Sequence, residues 1–428
     1  HDQGFFLMVL SKNCILHLLT KTFKNFFFIF FSVVLFSGIS GAQSEEEMKI
    51  LQMFFKEKEI TSVTRSPKPI SQIAENITIV TAKEIEAMNA HTVAEVLNRV
   101  TGLFINFNQG VGSFGSTSIL HIQGSEDRHV LVLVDGIPWN FLSSGAAETN
   151  PIPVGIIERI EIIKGPASAY WGSSLGGVVH IVTKSPGFVS GPSGTMRGSY
   201  GEHETQDYRA EISGREGRFG YYFFGGRQDS DGPDDSRYFE NNSFFSKLSY
   251  APSNRMDLGF SIGYSEPEFG LGDYRQIDIM QSGELRTLWG TAMLDAYLTR
   301  DLTFNLRFFS LSQESTLTNE ALGLGFAGTM GELFQENEFE EQTIGATAKL
   351  VWKKGMHNAV FGVDFSSGDL DQTIDSGRVL RAMGAPVKLE TYPDIERVGI
   401  YLNDTIVFDR LSITPDRKST RLNSSHYS

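Results

Sequence analysis

The pattern of apolar and polar positions changes character near residue 186. Beyond it a strict two-residue alternation takes over. In one run Met256, Leu258, Phe260, Ile262 and Tyr264 are apolar, while Asp257, Gly259, Ser261, Gly263 and Ser265 are small or polar. Leu302, Phe304, Leu306 and Phe308 repeat it against Thr303, Asn305 and Arg307, and Ala359, Phe361, Val363 and Phe365 against Gly362, Asp364 and Ser366. A period of two sends alternate side chains to opposite faces of a strand. Similar segments lie near 195–201, 205–214, 218–229, 242–250, 286–299, 342–353 and 396–409. Strands of about ten residues with one apolar and one polar face suit a barrel wall between lipid and a wet lumen. Soluble β-sandwiches also alternate, with strands of about 5–6 residues. Run length, and aromatics near the run ends (Tyr200, Tyr250, Tyr264, Tyr297, Trp352), favour the membrane wall. The polar stretches Gln313 to Glu341 and Ser367 to Ile395 predict long loops, and Ala251 to Asn254 a tight turn.

Before residue 186 the pattern is mixed. A strand over Asn76 to Thr81 leads into a helix over Ala82 to Asn89, with Thr81 and Glu84 at capping-box spacing. Thr92 and Glu95 repeat that spacing ahead of a helix over Val93 to Val100, which ends at Gly102. Strands over Leu103 to Phe107 and Ser118 to Gly124 flank a Gly-rich loop. The stretch from Val130 to Lys184 follows: three β-rich runs, 130–134, 156–164 and 177–184, joined by Gly/Pro turns. Residues 60–186 therefore read as a small α+β domain, and 187–415 as the wall strands.

The N-terminus reads as an export signal. Lys21 and Lys24 precede an eleven-residue apolar run, Phe26 to Phe36, and the small residues Ser40-Gly41-Ala42 follow. Such a run is short of the about 20 residues that a transmembrane helix needs, so 1–42 is expected to be a signal peptide. Met8 is the expected start, with 1–7 a spurious extension. Residues 43–59 form an acidic segment with helical apolar spacing at Ile50, Leu51, Phe54 and Phe55. The formal charge of −14 argues against a nucleic-acid partner. The single cysteine, Cys14, lies in the signal, leaving the exported chain no thiolate metal site or Cys nucleophile.

Five motifs, in order, carry a resemblance. They are Ile79 to Ile85, Val93 to Val100, Val132-Leu133-Val134-Asp135-Gly136-Ile137-Pro138, Ile157-Glu158-Arg159-Ile160-Glu161-Ile162-Ile163-Lys164-Gly165-Pro166, and Tyr170-Trp171-Gly172 through Gly177 to Lys184. Residues 60–186 resemble the plug domain of TonB-dependent outer-membrane receptors, and the strands beyond resemble the start of their barrel. The chain departs from the family at Thr101-Gly102-Leu103, in place of Pro-Gly-Val, and at Gln123-Gly124, in place of Arg-Gly.

The resemblance implies an α+β plug followed by antiparallel transmembrane β-barrel strands, the whole barrel having about 22. Room for about ten or eleven strands after the plug makes this about half of one. It implies a transporter, not an enzyme, in the outer membrane of a Gram-negative-type bacterium. Such a receptor takes up a scarce, bulky nutrient: an iron–siderophore, haem or corrinoid. No cofactor is expected to be permanently bound and no metal site is expected in the chain; the transported ligand is expected to be a metal chelate. The implied partners are outer-membrane lipid and the periplasmic TonB protein. TonB pulls an extended box that can add as a strand to a partner. Ile60, Thr61, Ser62, Val63 and Thr64 fit that description, as does an ordinary linker strand. Apical loops of the plug are implied to meet ligand, at Phe107, Gln109, Phe114, Trp139, Asn140 and Phe141. Asp135, Gly136, Glu158, Arg159, Glu161, Gly165, Pro166, Gly172 and Gly177 are expected to hold the plug together and seat it.

Two motifs are decoys on this reading. Gly110 to Gly115 matches G-x-G-x-x-G, but alternation rather than a helix follows. Gly172 to Gly176 matches G-x-S-x-G, whose elbow must turn from strand into helix, and here a strand is expected. Asp229, Asp231, Asp234 and Asp235 form a polar loop, better read as a solvated turn than as a Ca²⁺ site. Residues 416–428 break the alternation and resemble translated sequencing-adapter sequence, an artefactual tail on a truncated fragment. A passive plugged barrel with a structural or adhesive role is the alternative reading.

Overall fold

The computed structural model describes residues 59–60, 68–69, 76–107, 118–167, 174–187, 190–234, 236–408, 411–413 and 415–427. The expected signal peptide and nearly all of the acidic segment lie outside these. Two short strands, β1 (Glu59–Ile60) and β2 (Lys68–Pro69), pair with each other. The α+β domain follows with β3 (Ile77–Thr81), α1 (Ala82–Ala87), α2 (Val93–Asn98), β4 (Leu103–Phe107), β5 (Ser118–Ile122), β6 (Val130–Val134), β7 (Ile137–Pro138), β8 (Ile157–Lys164) and β9 (Gly177–Thr183).

Its main sheet has the order β3-β8-β9-β6-β7, and β4 pairs with β5 separately. Every pairing in the main sheet is antiparallel except β6 with β9. The runs predicted over 130–184 are the three central strands, and their Val and Ile side chains are buried on both faces. Both halves of the Thr81–Glu84 box are present, the carboxylate accepting from Thr81 N at 2.7 Å. The second box forms only in half. Thr92 Oγ1 accepts from Glu95 N, but Glu95 turns to the backbone N–H of His91, 2.9 Å away.

The wall is a meander in which each strand pairs antiparallel with the next: β10 (Gly191–Tyr200), β11 (Gln206–Glu216), β12 (Phe219–Ser230), β13 (Phe239–Ser253), β14 (Met256–Tyr274), β15 (Ile279–Tyr297), β16 (Leu302–Ala321), β17 (Leu333–Lys354), β18 (His357–Ser376) and β19 (Lys388–Phe408). A short helix, α3 (Arg378–Ala382), lies between the last two. At the far end β20 (Leu411–Ile413) and β21 (Asp416–Tyr427) both pair with β19. Residues 416–427, expected to break the pattern, are thus extended. Among the described strands β10 pairs with β11 alone, so the described sheet is open.

The long loops expected over 313–341 and 367–395 are mostly strand. Only 322–332 and 377–387 leave the ladder. The outer third of each strand carries only scattered apolar residues, such as Leu317, Phe339, Leu370 and Ile374, among polar ones such as Glu336, Asn337, Glu338 and Glu340. It therefore lacks the apolar signal, and backbone ladder bonds hold it. Its connections are tied down. The Asp278 carboxylate accepts from the backbone N–H groups of Leu324, Gly325 and Ala327 at 2.6–3.1 Å. Glu332 accepts twice from Arg378, and this with Thr329 holds its carboxyl down at about 2.

Candidate functional site at the domain–wall interface

The wall's polarity is inverted relative to a soluble protein. On one face Leu402, Phe308, Ile400 and Phe260 are 56, 53, 50 and 48% exposed. On the other, Ser265, Thr287, Ser261 and Asn403 are 0, 0, 1 and 2% exposed. Large apolar side chains ring the outside, and hydroxyls and amides are buried inside. The domain docks on that inner face: Tyr222, Phe224, Phe245, Trp289 and Leu311 of the wall share one hydrophobic cluster with the residues of β3–β9 and the two helices.

The Asp135-Gly136 turn is the most heavily held point. Asp135 takes a left-handed φ of 48°, which ends β6 and aims its carboxylate at the wall. Oδ1 accepts from Thr183 N at 3.0 Å; Oδ2 accepts from Thr183 Oγ1 at 2.6 Å and from Lys247 Nζ of β13 at 3.0 Å. Burial by itself would raise this carboxyl, but Lys247 and the Thr183 hydrogen bonds outweigh it and hold the group below its ordinary value. Arg307 of β16 donates to the Asp135 carbonyl. Gly136, at φ +84°, has no room for a Cβ because the Arg307 guanidinium fills it.

Glu158, Arg159 and Glu161 lie on β8. Arg159 Nε donates to the fully buried Glu161 at 2.8 Å, and its Nη1 lies 3.7 Å from Glu158. His180 Nδ1 stands 3.6 Å from Glu161, too far for a hydrogen bond. Gly165 (φ +114°) and Pro166 turn the chain out of β8. Gly177 (φ +148°) opens β9 with the Ile163 carbonyl where a Cβ would stand. Gly172 lies outside the described residues. The cation absent at Gln123 is not missed by Glu161, whose partner is Arg159.

Of the expected ligand contacts, Phe107 ends β4 half-buried, and Gln109 and Phe114 lie outside the described residues. Trp139 is not open to a ligand. It is fully buried, donates from Nε1 to the Glu148 carbonyl at 2.9 Å, and meets Trp289 of the wall edge-on at 5.2 Å. Phe141 packs into a wall cluster of Phe239, Phe269, Leu271 and Leu285. Asn140 braces the loop, accepting from Val132 N and donating to the carbonyls of Val130 and Gly145. These aromatics anchor the outer loop from beneath. Alternation continuing from β7 through Ile137 and Trp139 was the signal for the inward Trp.

A second seam is polar. His91 Nδ1 lies 2.7 Å from Asp207 of β11, and Arg209 and Gln228 donate to backbone carbonyls at 90–91. Arg197 of β10 pairs with Glu86 of α1 at 2.6 Å, and Lys184 with Glu211 at 2.7 Å. Between these pairs lies a cavity of about 410 Å³. None of these wall residues carried a sequence signal, because pairing partners 100 residues apart leave no local pattern.

Ile60, the first of the five box residues, pairs with Lys68; Thr61, Ser62, Val63 and Thr64 lie outside the described residues. The G-x-S-x-G elbow does not form. Ser174 is fully buried with its hydroxyl unbonded among the described residues, and a strand follows it. Residues 110–115 are outside the described residues, and β5 rather than a helix comes next. Among the described residues no cluster of three or more His, Cys, Asp or Glu is placed to hold a metal.

Residues 69–178 match the family model of the TonB-dependent receptor plug domain. Three solved structures share the fold. The pyoverdine outer-membrane receptor FpvA of Pseudomonas aeruginosa is 14% identical with a TM-score of 0.72, covering 87% of this chain and 60% of that one. The ferric citrate transporter FecA is 17% identical with a TM-score of 0.69, at 83 and 57% coverage. BauA, the ferric preacinetobactin receptor of Acinetobacter baumannii, is 15% identical with a TM-score of 0.67, at 86 and 61%. The chain thus spans about 57–61% of the length of these relatives. Residues 69–178 are thus a TonB-dependent receptor plug domain, docked on the polar face of an apolar-backed meander whose fold is that of these outer-membrane receptors.

Proposed function

We propose that the chain is part of an energy-coupled receptor that takes up a scarce metal chelate through the outer membrane. In this reading further strands close the wall into a barrel of about 22 around the plug. Export by the signal at 1–42 delivers it to a Gram-negative-type outer membrane, where lipid covers the exposed apolar face. The inverted wall is the observation that carries this: exposed Leu402, Phe308 and Phe260 outside, buried Ser265 and Thr287 inside against the plug. The names of the relatives speak of pyoverdine, ferric citrate and ferric preacinetobactin, so an iron–siderophore is the first choice of ligand, ahead of haem or a corrinoid. The ligand is carried, not transformed, and no cofactor stays bound.

Asn140, with Phe107, Gln109 and Phe114 of the neighbouring loop, would meet the ligand, over the buried Trp139 and Phe141. The TonB protein would take Ile60 to Thr64 as an added strand. The ladder with Lys68–Pro69 is only two residues long, short enough to exchange for a partner. The domain limits follow: plug over 60–186, wall over 187–415, and 416–428 as a foreign tail. Deleting 60–64 from the full-length receptor should abolish uptake of a radiolabelled ferric chelate while binding to whole cells persists. Unchanged uptake would favour a passive plugged barrel.

A further inference from the structure

The outer loop 139–150 is held from outside its own domain as well as from within it. Glu341 projects from the inner face of β17 and is 4% exposed. Its two carboxylate oxygens accept from the consecutive backbone N–H groups of Leu142 and Ser143, at 2.5 and 3.1 Å. Two backbone amides and the Ser143 hydroxyl, rather than a cation, face this carboxylate among the described residues. Hydrogen bonds to an ionised acceptor are the strong kind, and two on successive amides fix the peptide between them.

Next to it is a notch. Thr343, two residues along β17, pairs with Gly368 of β18. A Cβ at Gly368 would stand 2.8 Å from Leu142 Cδ1, so the absent side chain is the seat for Leu142. Clamp and seat grip the same dipeptide, directly after Asn140 and Phe141.

We infer that Glu341 is a positioning residue for the ligand-facing loop. The wall carboxylate and the Gly368 notch impose the loop conformation that presents Asn140, so a residue that never touches ligand sets ligand affinity. The plug holds the base of the loop through Asn140 and the Phe141–Ala146 backbone bond, and the wall holds its tip at Leu142 and Ser143. This rests on the reading of 139–150 as a ligand-facing loop, and two separate measurements keep the two claims apart.

The first is amide hydrogen exchange of the full-length receptor in outer-membrane vesicles. Glu341→Ala should speed exchange of the Leu142 and Ser143 amides roughly ten- to a hundredfold. Glu341→Gln, which keeps the shape and one acceptor, should give an intermediate effect. Gly368→Ala should speed the same amides although Glu341 is intact. Strand 130–134 should stay as slow as in the wild type. Unchanged exchange at 142–143 in Glu341→Ala, or equal acceleration across 130–134, would overturn the inference. The second is titration of the same vesicles with ferric citrate and ferric pyoverdine. Affinity for whichever chelate the wild type binds should fall in the order wild type, Gln, Ala. Faster exchange with unaltered affinity leaves the clamp standing and overturns the loop's role in binding.

Discussion

The plug sheet and the wall sheet use the same extended backbone under opposite solvent rules. In the plug, Val130–Val134 and Gly177–Thr183 are largely covered on both faces, so apolar residues run nearly unbroken, with only His180 among them. In the wall the apolar side turns outward, and the inward side is mostly small and polar, with Phe224, Phe245 and Trp289 where the plug docks. A charge buried in the plug must be paired or it destabilises the fold. On the outer wall, charges such as Arg286 pair with Glu266 and Glu314 on the neighbouring strands of the same face. Burial and polarity separate once the surroundings are not water.

Three substitutions sharpen that contrast. The largest effect is expected at Asp135→Ala, which strands Lys247 in the interface; breaking a buried pair costs about 3–5 kcal/mol. Accelerated proteolysis of the plug within an intact wall would report it. The pH dependence has a definite sign. The folded carboxyl titrates below its ordinary 3.8, so its contribution is complete above that value and is lost as pH falls through the lower, folded one. Plug docking should therefore be insensitive to pH between about 5 and 7 on this account and weaken only in strong acid.

Next is Phe361→Arg on the outer face of β18, 45% exposed. In a water-soluble sheet an exposed Phe-to-Arg change is nearly neutral. Here it should cost about 2–4 kcal/mol near the bilayer midplane, measured by denaturant titration of the full-length receptor in lipid vesicles. A neutral result would remove the lipid-facing assignment of the wall. The smallest effect belongs to Thr81→Ala, which removes the cap of α1 and should cost about 1 kcal/mol. Hydrogen exchange of the first-turn amides would show it, with the wall unaffected.

The legible parts were those governed by local rules. Capping chemistry placed both helices, although the side chain of Glu95 found a different amide. Continuous apolar runs placed β6, β8 and β9, and alternation placed the wall strands where one face is apolar. It failed in the outer thirds of β16–β19, where residues such as Glu336, Glu338 and Glu340 leave only isolated apolar positions and the ladder carries the extended chain onward. The site was legible only on its plug side. Asp135-Gly136 stood out as a turn, but Lys247 and Arg307 lie 112 and 172 residues away from Asp135 and carry no pattern. Trp139 looked like a ligand face because an aromatic after a turn gives no sign of what lies against it.

By itself, the sequence determined the plug's strands and helices and the apolar-backed stretches of the wall, because period and capping are properties of neighbours along the chain. The tertiary structure decided what those faces meet: that Trp139 lies on Trp289, that Asp135 is locked by Lys247, and that Glu341 shapes a loop 198 residues before it. Such contacts depend on how two sheets are set against each other, and no local stretch of residues encodes that.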